Sequence, residues 1–277
     1  MPELPEVETI KNELKSLLIN KKFIGVKLEN KRIIGYPKPK DFLKEIINKK
    51  ILDIDRKGKY LTFKLSGNYN LTFHLRLSGR LIYNENPKKE IKYSRIKFLF
   101  NNGVLSFAEP RLLGRVYLYP KSQLPENLSS LNNLGREPLM PGFNFQYLKE
   151  KIKNRDTNIK SLLLDQKIAC GVGNIYSDEA LFCAKIHPKR KGYSLKDYEI
   201  KKLVKCLKKI IKVAIRKKGT SISDYLRPNS KEGSFQHYLK VFRKEGEKCV
   251  KCNSKITRIK INNRSSYFCP NCQKEGK

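Results

Sequence analysis

Several things are missing from this 277-residue sequence. No apolar run approaches the ~18 residues that would span a bilayer, which excludes a helical membrane protein. The first residues, Met1-Pro2-Glu3-Leu4-Pro5-Glu6, carry neither the basic nor the apolar stretch of a secretory signal, so the expected location is the cytoplasm. There is no internal repeat and no low-complexity segment, which sets aside solenoids and tails. Acid is scarce: 26 acidic residues face 60 basic ones, a net charge of +34. Such an excess concentrates polyanions around the chain and points to nucleic acid. Of the 60, 45 are lysine and 15 arginine, a bias that AT-rich coding also produces, so charge alone does not decide the partner.

What is present is a globular chain, 39% hydrophobic and long enough for two domains. Its seven cysteines are uneven. Cys170, Cys183 and Cys206 are scattered in apolar or helical contexts, and no disulfide framework is expected of them in a cytosolic chain. The other four form two CxxC pairs, Cys249/Cys252 and Cys269/Cys272. A two-residue gap lets both sulfurs of a pair reach one metal, and four thiolates suit tetrahedral zinc; redox dithiols are the other use of such pairs. The segment between them, 255–268, reads as a hairpin turning at Asn262-Asn263, with Arg264 at its tip. The expected cofactor is one structural zinc ion in a ribbon, because all four ligands come from protein.

Val7, Ile10, Leu14, Leu17 and Leu18 recur at helical spacing, and Pro5 suits a first turn, so a helix begins almost at the chain start. From about 22 to 120, short runs rich in β-branched and aromatic residues alternate with turn signals; 59–65, 70–77, 95–100 and 103–108 are the clearest. Helical candidates return at 145–153, 158–166, 174–184 and 195–217. The pattern predicts an α+β multidomain fold. It has an N-terminal helix and β-sandwich (1–130), a linker (131–145), a helical domain (146–240) and a C-terminal zinc ribbon (241–277).

The N-terminus could carry chemistry. Loss of Met1 would leave Pro2 a free secondary amine, and α-amino groups titrate near ~8. A helix N-terminus close by lowers that further. A secondary amine attacking a sugar carbon gives an iminium that stays cationic and acts as an electron sink. Glu3 could protonate the opening sugar ring. By themselves these residues read first as a plain helix start following the initiator, with the acids capping the helix.

The segments PELPEVE (2–8), RKGKYL (56–61), HLRLSGR (74–80), EPRLLG (109–114), IKSLLLDQ (159–166) and GVGNIYSDEALF (171–182), with the paired cysteines, resemble the bacterial formamidopyrimidine-DNA glycosylase family. The likeness runs over essentially the whole chain in the family's order. It implies a helix–two-turn–helix domain in the helical region, with DNA bound in a cleft. It implies a bifunctional glycosylase and AP lyase that removes oxidised purines from damaged double-stranded DNA, acting as a monomer. Pro2 would be the Schiff-base nucleophile and Glu3 the acid. Lys59 and Arg264 would assist successive eliminations. Leu77, Arg111 and Leu113 would fill the gap left by the flipped nucleotide, with Arg111 reading the orphaned base. His74, Tyr93, Arg155, Lys160 and Asn174 would contact DNA, and the loop 219–234, with Thr220 and Ser221, would close over the base. Two alternatives share the scaffold: an endonuclease VIII-like enzyme for oxidised pyrimidines, and a catalytically silent DNA-binding paralogue.

The sequence departs from the family pattern at five positions. Leu77 stands for the usual Met, Leu113 for Phe, Leu112 for a second basic residue, Arg76 for Gly and Tyr93 for His. Leu112 and Tyr93 weaken expected phosphate contacts; the other exchanges bear on wedge strength and opposite-base preference.

Overall fold

The computed structural model describes residues 1–86, 88–222 and 224–275. They form two compact units, one of residues 1–133 and 217–236, the other of 134–216 and 237 onward. The expected linker at 131–145 straddles the first boundary.

The first unit opens on α1 (Leu4–Leu18), whose Val7, Ile10, Leu14 and Leu18 form a buried face. Pro5 lies in the first turn, where the missing N–H has no helical partner to lose. That face packs into the core of a sandwich. One sheet orders β1 (Gly25–Leu28), β7 (Ser94–Phe100), β8 (Gly103–Ala108) and β6 (Arg80–Asn84). The other orders β2 (Ile34–Tyr36), β9 (Arg115–Pro120), β5 (Tyr69–His74), β4 (Tyr60–Leu65) and β3 (Ile51–Lys57). Phe73 anchors the space between the sheets, its ring 5.3 Å from Phe63, 5.8 Å from Phe98 and 5.6 Å from Phe107. Each such buried ring contributes roughly 1.5–3 kcal/mol.

Two details differ from the sequence pattern. The run 70–77 ends as a strand at His74, because Gly79 N–H closes a turn onto the Leu75 carbonyl at 2.9 Å. Leu77 is thereby carried on a loop. A short helix, α2 (Pro39–Ile46), is also present; only Phe42 and Ile46 anchor it, too few to declare a helical period.

The larger correction concerns residues 217–236, expected within the helical domain. They belong to the first unit. Tyr225 lies in the sandwich core, the Arg227 guanidinium pairs with Glu13 at 2.6 Å, and Tyr83 N–H donates to the Pro228 carbonyl at 2.9 Å.

The second unit carries α3 (Phe145–Ile152), α4 (Ile159–Leu164), α5 (Asn174–Ala184) and α6 (Asp197–Arg216). Asn144 and Asn158 cap α3 and α4, their side-chain oxygens accepting from Tyr147 N–H at 2.9 Å and Ser161 N–H at 2.8 Å. α5 is buried on most of its surface, Asp178 and Glu179 included. Cys183 of α5 and Cys206 of α6 form a disulfide, against the expectation that no disulfide would be kept. The packing of α5 along α6 brings the two thiols together. The ribbon hairpin joins β10 (Thr257–Ile261) to β11 (Arg264–Phe268). Asn262 and Asn263 turn it in left-handed backbone conformations that asparagine tolerates. Among the described residues, no helix is long and apolar enough to cross a membrane.

Candidate active site

The start of α1 is built for a charged task. Pro2, Glu3 and Glu6 are buried, and Glu3 and Glu6 form a reciprocal capping box in which Glu3 N–H donates to Glu6 Oε2 at 2.8 Å. The second Glu6 oxygen accepts Thr220 N–H at 2.8 Å, so one carboxylate ties the helix start to the loop after α6. Gly219 makes this approach possible: it has φ +80°, and a Cβ there would lie 2.8 Å from Glu6 Oε1. Met1 is exposed, and Pro2 nitrogen lies in the amide that follows it. Burial lowers the Met1 amine below its ordinary value against the opposing pull of Glu3, Glu6 and Asp224; the Lys59 charge lowers it further. Lys59 itself is buried at the β3–β4 turn.

Two loops of the same unit project side chains. Glu109, fully buried, organises both. Its carboxylate accepts the Ser78 hydroxyl from the 74–80 loop, Arg111 N–H at 3.0 Å and Gly114 N–H at 2.9 Å. The ends of these loops are fixed while their tips are open. Leu77 is 41% and Leu113 45% exposed, and the Arg111 side chain is 59% exposed. Arg76, Tyr93 and Leu112 have φ of 53°, 62° and 54°. Left-handed backbone at such residues costs on the order of 1 kcal/mol each and clusters at working sites. Arg111 pairs with Asp224 at 3.8 Å, and Asp224 also takes Arg80 at 3.3 Å.

His74 is buried, edge-on to the Tyr60 ring with centroids 4.4 Å apart. Burial, then the charges of Arg76 and Lys59, pushes its pKa down to about 3. It is therefore neutral at physiological pH. Its Nδ1 accepts from Arg76 N–H at 3.2 Å, leaving Nε2 as the protonated nitrogen and a donor without charge. Tyr93 is 47% exposed. In the 217–236 loop, Ser221 N–H is held by the Gln236 side chain at 3.1 Å and its hydroxyl by the Tyr225 carbonyl at 3.1 Å, so the donors expected of Ser221 serve the loop itself, while Thr220 N–H serves Glu6.

In the second unit, Arg264 stands exposed at the hairpin tip beside a hollow of about 280 Å³ lined also by Ser161, Leu164, Asp165 and Asn262. Arg155 is exposed. Asn174 opens α5, and its side-chain amide donates to the Ser265 carbonyl at 2.9 Å. Lys160 requires a correction. Expected among the phosphate contacts, it is fully buried and ion-paired to Asp178, because the α4–α5 packing turns it inward. Burial pushes Asp178 up to about 6 against the opposing pull of Lys160.

The four ribbon sulfurs all lie within 4.8 Å of one another, with Cys252–Cys269 at 3.4 Å, Cys252–Cys272 at 3.5 Å and Cys249–Cys272 at 3.9 Å. A tetrahedral zinc with bonds near ~2.3 Å needs sulfurs about 3.8 Å apart, so the donor set fits one structural ion.

Reading the sequence missed Glu109, Asp178, Asp224 and Glu179, which accepts the Lys240, Val241 and Phe242 N–H groups at 2.9–3.0 Å. All are carboxylates with at least one partner distant in the chain: Ser78 for Glu109, Ser266 and Tyr267 for Asp178, Arg80 and Arg111 for Asp224, and 240–242 for Glu179. The one available signal was acid inside apolar stretches, as in Phe107-Ala108-Glu109 and Ser177-Asp178-Glu179-Ala180-Leu181.

A helix-led sandwich joined in one chain to a helical unit and a four-thiol ribbon defines a helix–two-turn–helix, zinc-ribbon class of protein. Comparison narrows it. Residues 1–116 match the formamidopyrimidine-DNA glycosylase N-terminal domain, 134–225 its H2TH domain, and 246–274 a zinc finger found in FPG and IleRS. A formamidopyrimidine-DNA glycosylase of Pelotomaculum thermopropionicum is 40% identical over 275 residues, 99% of either chain. A Lactococcus lactis FPG mutant solved with a Fapy-dG-containing DNA superposes with a TM-score of 0.92 at 34% identity, covering 99% of this chain and 100% of that one. The Thermus thermophilus MutM (FPG) protein gives 0.90 at 32% identity, with full coverage of both chains. The chain belongs to the formamidopyrimidine-DNA glycosylase family.

Proposed function

We propose that this chain is a base-excision DNA glycosylase and AP lyase for oxidised purines, acting as a monomer on damaged duplex DNA in the bacterial cytoplasm. The observation that carries the reading is the buried Pro2-Glu3 start of α1 within a chain of this family. Once Met1 is removed, Pro2 nitrogen attacks C1′ as the base leaves with the electrons of the glycosidic bond. Glu3 delivers a proton to the opening sugar oxygen, and the product is an iminium. A base takes the C2′ proton, the C–H electrons flow into the iminium, and their return expels the 3′ phosphate with its bonding pair; a second elimination expels the 5′ phosphate in the same way. Lys59 assists the first elimination and Arg264 the second. Leu77, Leu113 and Arg111 occupy the space vacated by the extruded nucleotide. His74, Tyr93, Arg155 and the start of α5 at Asn174 are proposed to meet the backbone, His74 as a neutral donor. Zinc holds the hairpin that carries Arg264.

Single-turnover excision on matched duplexes tests the substrate class. 8-Oxoguanine opposite cytosine should leave faster than thymine glycol. The reverse order would assign the chain to oxidised pyrimidines.

Arg111→Ala should flatten the preference for cytosine opposite the lesion. The expected loss is about 10-fold to 100-fold, the scale of one two-pronged base contact. The check is the ratio of excision rates opposite cytosine and adenine; an unchanged ratio places the reading elsewhere.

A further inference from the structure

We infer that Lys160 and Asp178 are a buried positioning pair that seats β11 on α5 and so fixes where Arg264 projects. The inference rests on the proposed role of Arg264 at the DNA backbone.

Three consecutive residues after Arg264 are held by α5. Asn174 takes the Ser265 carbonyl at 2.9 Å. One turn further along the helix, Asp178 accepts the Ser266 hydroxyl at 2.8 Å through Oδ1 and Tyr267 N–H at 3.1 Å through Oδ2. At the turn of the hairpin, Asn262 donates to the Ser161 hydroxyl of α4 at 2.8 Å. Side chains alternate along a strand, so Arg264 shares the face of Ser266 and Phe268, both buried. It leaves that face where the supporting helices end, beside the hollow lined by Ser161, Leu164 and Asp165.

A buried carboxylate can hold two strand groups in this way only if its charge is matched. Lys160 supplies the match from α4. Its ammonium reaches Asp178 and also the Ser266 hydroxyl, at 3.1 Å, with no part of the side chain open to solvent. Lys160 could turn to a phosphate only by abandoning Asp178 inside the protein. The same lysine that would otherwise be read as a DNA contact is thus a component of the mount.

The test uses the full zinc-loaded protein with Lys160→Met, Asp178→Asn and the double variant. Hydrogen exchange at the Ser266 and Tyr267 amides reads the seating without DNA. Affinity for an uncleavable abasic-site duplex, and the ratio of single-elimination to double-elimination product, read its consequence. Lys160→Met strands the carboxylate. It should lose protection across β11, weaken binding about 100-fold or more and shift product towards single elimination. In the double variant, the Asn amide can accept Tyr267 N–H and donate to the Ser266 hydroxyl with no charge to match. Protection, affinity and product ratio should return to within about fivefold of wild type. A double variant as defective as Lys160→Met in β11 protection would overturn the inference, and one that regains protection but not affinity would overturn it too and return Lys160 to direct DNA contact. Should Lys160→Met fail to fold, the double variant should still fold, and its failure would overturn the inference equally. Because exchange is measured with no lesion present, an error in the purine reading shows only in wild-type excision.

Discussion

Pro2→Gly should slow excision and borohydride trapping on an 8-oxoguanine:cytosine duplex by at least about 10³-fold while leaving duplex affinity nearly unchanged, the signature of a lost nucleophile. Glycine keeps an amine at the same place, so the comparison isolates the secondary amine. The prolyl iminium has no N–H proton to shed and stays cationic until elimination; a glycyl imine can lose its charge. The buried capping box and the Glu6–Thr220 bond concern backbone groups and side chains other than Pro2's ring, so the scaffold tolerates the change. Proteolysis of the trapped wild-type adduct should give an N-terminal peptide that begins at Pro2 and carries the sugar remnant. Trapping at the wild-type rate in Pro2→Gly would overturn the assignment. A wild-type protein that retains Met1 should give no adduct, because its Pro2 nitrogen is an amide.

Cys252→Ser is the second large effect. Removing one of four ligands should release the metal, measurable by a chromogenic chelator, and lower duplex affinity by about 100-fold or more. Free zinc fingers draw roughly 10–16 kcal/mol of folding free energy from their ion. This ribbon should lose less, because Asn174, Asp178 and Glu179 hold chain on both sides of the Cys249/Cys252 pair independently of metal. The sandwich unit contains none of the ligands and should keep its thermal transition. A zinc-free variant with wild-type affinity would remove the structural role of the ion.

Much of this was legible in the residues. α1, the four longest-patterned strands, the helices of the second unit and the Asn262-Asn263 hairpin all follow from periodicity and turn chemistry. The four-thiol cluster follows from spacing. Pro2 and Glu3 became meaningful only through the company of the other motifs. Lys160 was misplaced because a motif gives a residue's neighbours in sequence, whereas its direction is set by Asp178, eighteen positions on. The Cys183–Cys206 pair was missed for the same reason: helix packing, not spacing, creates it. Glu109 illustrates the limit most directly. Its three acceptor contacts shape both exposed loops, yet in the sequence it is one acid before a proline.

The membership of residues 217–236 in the first unit has a consequence for biogenesis. Translation delivers the sandwich strands early, but Tyr225, a part of their core, and Thr220, the partner of Glu6, arrive only after the whole of α3 to α6. At about 5–20 residues per second the ribosome needs on the order of ten seconds to cover the intervening hundred or so positions. During that interval the nascent sandwich carries an open seam beside the start of α1. The first unit is thus completed late, and a chain that stalls within α6 leaves the ribosome with α1 still unlatched from Thr220.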